Sequence, residues 1–120
     1  MPSLQNNDNI EDGLRRIESF IEDLRDDIND RLDSAENSIK KTRERMRASR
    51  LEIQSRDFLA KRAKKEASKL KETDLVKAEE LELEIEQHHL RIKHEEASIL
   101  KYKKFIRKAM AAMSKDLDLM

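Results

Sequence analysis

Three histidines, His88, His89 and His94, are the side chains of this 120-residue sequence whose type most invites chemistry. A zinc site carried on one helix wants two ligands four residues apart on one face, as in the HExxH pattern. Four residues beyond His88 stands Ile92, and four beyond His89 stands Lys93. Glu84 and His88 form the one such pair with ligand character, and two ligands do not complete a tetrahedral site. Carboxylates are abundant, but pairs of them on a solvated helix are not an acid–base centre. There is no Gly-rich phosphate loop and no Ser–His–Asp or Cys–His set, and aromatics are only 3% of the chain, too few to wall a pocket. The expectation is a protein that is not an enzyme, with no catalytic residue, no cofactor and no metal.

What would have to position any site is a set of long helices. Charged residues make up 43% of the chain, with one Gly, one Pro, no Trp and no Cys. A compact globule needs large apolar side chains and turn residues, and both are scarce. Hydrophobic content of 37% is nonetheless too high for a disordered tail. This balance is the signature of helices packed side by side. The lack of Cys excludes a disulfide framework and thiol chemistry, and no apolar run nears the ~18 residues of a membrane span. A cytoplasmic setting is the default expectation, with the nucleus as the other compartment open to it.

Residues 1–9 are polar, contain Pro2 and lack periodicity, which reads as a flexible lead, with Asn9 able to cap the helix that follows. From there apolar residues recur at gaps of four and three: Ile10, Leu14, Ile17, Ile21, Leu24 and Ile28. A repeated gap of four, a stutter in the supercoil, leads to Leu32, Ala35 and Ile39. The seam then continues through Thr42, Met46, Ser49, Ile53, Arg56, Ala60, Ala63, Ala67 and Leu70. A second stretch repeats every seven residues, at Ile85, Ile92, Ile99, Ile106, Met113 and Met120, with His88, Glu95, Tyr102, Ala109 and Asp116 as a polar companion row. These patterns predict a first coiled-coil helix over 10–71, a turn at 72–74 that Thr73 or Asp74 can cap, a second helix over 75–117 and a C-terminal end at 118–120.

Charge decides between a rod and a hairpin. Net charge is zero overall but runs in blocks: −7 over residues 1–38, +9 over 39–71, −6 over 72–98 and +4 over 99–120. Folding back near residue 72 lays +9 along −6 and carries the +4 tail towards the acidic stretch around residues 25–45. A parallel dimer of straight rods would set +9 against +9. The expected fold is therefore all-α, a long antiparallel helical hairpin (a two-helix coiled coil) within a larger helical bundle. The alternative is a single unbroken long helix in an antiparallel dimer, which makes the same charge matches between chains.

The unequal arms leave Ile10, Leu14, Ile17, Phe20, Ile21 and Leu24 without a partner in their own chain, and an unpartnered apolar stripe predicts association. Together with Ile28 and with Ile85, Ile92, Ile99, Ile106 and Met113, these seam residues are the candidate self-association and partner-binding set. Leu51 and Phe58 on the first arm, with Leu83, Leu90 and Ala97 on the second, lie opposite the seam and make a candidate second docking face. His88, on the seam, can set register or respond to mild acid. The expected function is a non-enzymatic coiled-coil subunit (scaffold, tether or adaptor) that binds itself or other coiled-coil proteins, with orientation set by the charge blocks. The alternative is a polyanion-binding module for nucleic acid or anionic membrane, using Lys40, Lys41, Arg43, Arg45, Arg47, Lys61, Arg62, Lys64 and Lys65 of the basic block 40–71. Against nucleic acid stand the zero net charge and the lack of interleaved aromatics, and nothing in the sequence supports peripheral membrane contact. In architecture alone the chain resembles small helical hairpins that serve as subunits of vesicle-trafficking and kinetochore complexes or regulate secretion ATPases. No residue motif ties it to one of them.

Overall fold

The computed structural model describes residues 2–119, with side chains from Asp8 onward. Met1 and Met120, the latter the last position of the sevenfold row, lie outside the described residues. Two α-helices, α1 (Pro2–Leu70) and α2 (Leu75–Asp118), pack as an antiparallel hairpin. The helix starts at Pro2 and not near Ile10, so the stretch read as a lead is helical and Asn9 is interior to it, not a cap. Proline suits the first turn of a helix, where its missing N–H would have no partner. Between Pro2 and Leu70 the one residue with a strong propensity cost is Gly13, at about 1 kcal/mol.

The turn answers how a chain without Gly or Pro at the join reverses direction. Leu70 O accepts from both Thr73 N at 3.1 Å and Asp74 N at 2.7 Å, which closes α1. No described residue has a positive φ, so no glycine is called for. Asp74 then caps α2. Its Oδ1 accepts from Lys77 N at 3.1 Å, and its carbonyl takes the first helical bond, from Ala78 N, also at 3.1 Å. Of the two candidate caps, Thr73 and Asp74, it is Asp74 that makes the bond.

The chain divides into two units. The first comprises residues 39–108. Here α1 buries Ile39, Thr42, Met46, Ser49, Ala60, Ala63 and Ala67, with Ile53, Arg56 and Leu70 half-buried. Opposite them α2 buries Ala78, His88 and Glu95, with Leu81, Ile85, Ile92, Ile99, Tyr102 and Ile106 half-buried. One stripe per helix faces the other, at the three-and-four spacing that knobs-into-holes packing requires. Alanines concentrate beside the turn: Ala60, Ala63, Ala67 and Ala78 are all buried. Separation of packed helices depends on the side chains at the contact, and methyl groups there let the backbones close up to match a four-residue turn.

The other unit joins the chain up to Ser38 with residues from Ala109 onward. Ile28, 1% exposed, is the most deeply buried side chain described. Leu32, Ala35, Ala109, Met113 and Asp116 are half-buried in the same unit, and Arg31 Nη2 lies 3.4 Å from Asp116 Oδ1. From Asp8 to Asp27 every side chain is exposed, with Gly13 alone in the intermediate class.

Candidate interaction site

The histidines separate into two kinds of position. His89 and His94 are exposed, while His88 is buried against α1. Its Nδ1 sits 3.2 Å from Arg56 Nη1. A guanidinium has donors only, so Nδ1 is the acceptor and the ring hydrogen resides on Nε2. Nε2 approaches Glu84 Oε1 at 3.5 Å without making a hydrogen bond. Around this pair Arg56 Nε donates to Glu52 Oε1 at 2.9 Å, Arg91 Nε lies 3.8 Å from the same Glu52 oxygen, and Arg91 Nη2 lies 3.0 Å from Glu95 Oε1. The result is a polar layer across the seam of the 39–108 unit. A guanidinium against one imidazole nitrogen repels a cation, and no group of three potential ligands assembles among the described residues.

The apolar seam residues fall into two environments. Ile28, Ile85, Ile92, Ile99, Ile106 and Met113 are buried or half-buried within the hairpin. Ile10, Leu14, Ile17, Phe20, Ile21 and Leu24 are between 42% and 67% exposed. The first group packs within the hairpin, with Ile106 also lining the groove described below, and the second stands exposed.

The candidate second face divides in two. Leu51, Phe58, Leu83 and Leu90 are 60–66% exposed and Ala97 is exposed too. Leu51 lies two residues from both Ser49 and Ile53, roughly 200° around the helix from each, which puts it directly behind the seam. Leu83, between Leu81 and Ile85, is placed in the same way on α2. Each row therefore lies on the outer side of its own helix, away from the other. They are two narrow surfaces and not one.

The basic block also resolves into parts. Lys61 Nζ is paired with Asp57 Oδ2 at 2.9 Å, and Lys64 lines a small groove that also includes Glu82 and His89. Near the turn, then, Lys64 of the basic arm and Glu82 of the acidic arm border one groove, while Lys61 pairs within its own helix. Farther from it the expected match of basic arm against acidic arm fails. Arg43, Met46, Arg47 and Arg50 of α1 line, with Lys103, Ile106 and Arg107 of α2, an open groove of about 660 Å³. The front of the +4 tail thus lies beside basic residues 43–50, and not along the acidic stretch. Residues 40–50 and 101–108 together carry eleven cationic side chains against a single acid, Glu44. None of the five groove cations is in an ion pair among the described residues.

Of the nine candidate polyanion contacts, Arg43 and Arg47 border this groove. Lys40, Lys41, Arg45, Arg62 and Lys65 are exposed elsewhere on α1. Arg50, Lys103 and Arg107 were not singled out from sequence. The signal that finds them is the distance of each residue from the turn, which pairs positions on the two arms. Among the described residues no helix is long and apolar enough to cross a membrane. Comparison with protein-family models, with curated proteins and with solved structures finds no match.

Proposed function

We propose that this chain is a non-enzymatic assembly subunit, a helical hairpin that binds itself or other coiled-coil proteins as a scaffold, tether or adaptor. The observation that carries this reading is the exposed stripe Ile10, Leu14, Ile17, Phe20, Ile21 and Leu24 on α1. Six large apolar side chains along four turns of one helix, left in water, favour association with another apolar surface. A surface this rich in charge suits an aqueous compartment, and we place the subunit in the cytosol. The test is the solution mass of the wild type and of Leu14→Asp/Ile17→Asp, by light scattering at low and high salt. Association through the stripe gives a multimer that persists at high salt and is lost in the variant. An unchanged mass in the variant contradicts it.

The second reading, binding of an external polyanion, is favoured by the groove between Arg43, Arg47, Arg50, Lys103 and Arg107. Nucleic acid or anionic vesicles held there would be released steeply as salt rises.

A further inference from the structure

We infer that the groove bordered by Arg43, Arg47, Arg50, Lys103 and Arg107 is the docking site for residues 8–27 of a second copy of this chain. The inference rests on the assembly reading and names the surface that receives the stripe.

Two features of the groove argue for an occupant. Closer to the turn, charges of opposite sign meet across the helices: Glu52 lies 3.8 Å from Arg91, and Lys64 shares a groove with Glu82. Between 43–50 and 103–107 both helices present cations instead, and like charges across a seam oppose the hairpin's own closure. An anionic occupant removes that opposition. The floor is not polar, however. Buried Met46 and half-buried Ile106 form it. A phosphate backbone has no use for such a floor, whereas an amphipathic helix lays its apolar face on one and its charges along the rim.

The chain carries a segment of that description. Residues 8–27 hold eight acidic and three basic side chains, and all but Gly13 are in the exposed class. Glu11, Glu18 and Glu22 follow Ile10, Ile17 and Ile21 directly, so acids border the apolar stripe. Met46 is an adaptable contact for Ile and Leu side chains, as methionine is in grooves that accept helices. Two copies can satisfy each other reciprocally, with each acidic stretch in the partner's groove, which closes the assembly as a dimer.

The test uses full-length chains and light-scattering mass at low salt, with circular dichroism to verify that each variant is folded. The groove variant is Arg43→Glu/Arg47→Glu/Arg107→Glu, and the stretch variant is Glu11→Lys/Glu18→Lys/Glu22→Lys. Wild type is expected to be a dimer, and each variant alone to dissociate at concentrations about tenfold or more above the wild-type midpoint, since several desolvated charge pairs turn repulsive together. An equimolar mixture of the two variants is expected to regain the dimer, because both contacts are again complementary. A groove variant with wild-type mass overturns the docking site while leaving the stripe reading to stand or fall on Leu14→Asp/Ile17→Asp. A wild type that is monomeric, yet holds RNA or anionic vesicles through the groove, overturns it in favour of an external polyanion.

Discussion

Arg56 and His88 meet across the seam of the 39–108 unit, with Nη1 3.2 Å from Nδ1, at a level where coiled coils ordinarily place two apolar side chains. The bond needs the neutral tautomer with its hydrogen on Nε2, and that nitrogen is buried without a hydrogen-bond partner. A buried donor left unsatisfied costs about 1–3 kcal/mol, so this layer is retained at the expense of stability. It marks register in one direction: a slip of one heptad that set Arg56 opposite Leu81 would leave the guanidinium against leucine, whereas the opposite slip would bring it to Glu95.

The paired substitution Arg56→Leu/His88→Leu is therefore expected to stabilise the hairpin, by about 1–3 kcal/mol, because it removes the unsatisfied donor and fills the layer with apolar volume. Urea denaturation of the two chains checks this. A loss of stability would mean that the polar layer contributes net binding energy.

Asp74 is the cap that starts α2, and Asp74→Ala should cost about 1 kcal/mol by freeing Lys77 N. Thr73→Ala should cost less, since the capping bond to Lys77 N comes from Asp74 and not from the Thr73 side chain. Thermal melts of the two variants rank them, and the opposite ranking would move the cap to Thr73.

Beside the turn, Ala63 and Ala67 are each 6% exposed. Leucine at either position forces the helices apart where the four-residue turn holds them close, with an expected loss of about 1–3 kcal/mol. Gly13→Ala is the contrasting case. Nothing lies within 4 Å of the added Cβ, so the change should raise helix stability by about 0.5–1 kcal/mol.

The two outer rows predict separable effects. Leu90→Asp and Phe58→Asp should each leave helicity intact, since both side chains are about two-thirds exposed. Ile92→Asp, on the seam, should unfold or dissociate the hairpin, because an unpaired seam charge costs several kcal/mol. Lower mass in Leu90→Asp but not in Phe58→Asp would assign a partner to α2's outer side alone.

Much of this fold was legible because packing of two helices leaves a period in the sequence. Every seam position from Ile28 to Leu70, stutter included, and from Ile85 to Asp116 is buried or half-buried, but so are Ala78 and Leu81, which the period read from Ile85 onward leaves out, and Ser38, Glu52 and Ser98 beside the seam. Even Thr42, Ser49, His88 and Glu95, which no hydropathy argument would select, are buried because the spacing demands it. Helix start was less legible. Asn and Asp between Pro2 and Ile10 lower helix propensity by only tenths of a kcal/mol each, too little to fix a boundary. The groove was missed for a different reason. Block totals set the +4 tail against the acidic stretch around residues 25–45, whereas the tight turn fixes register residue by residue. Counted from Leu70 and Leu75, Arg43 and Lys103 stand at nearly equal distances from the turn, and both are cationic. Only the far end of the tail, where Arg31 meets Asp116, reaches the acidic segment.

The central claim is that residues 8–27 have a partner in solution. An isolated helix of that length is marginal in water, so amide hydrogen exchange over 8–27, followed as protein concentration is raised, reads the claim directly. Protection that is weak in dilute solution and rises with concentration, in step with solution mass, is the expected result. Fast exchange at every concentration, beside strong protection over 39–108, would show an exposed helical end with nothing to bind it within its own assembly.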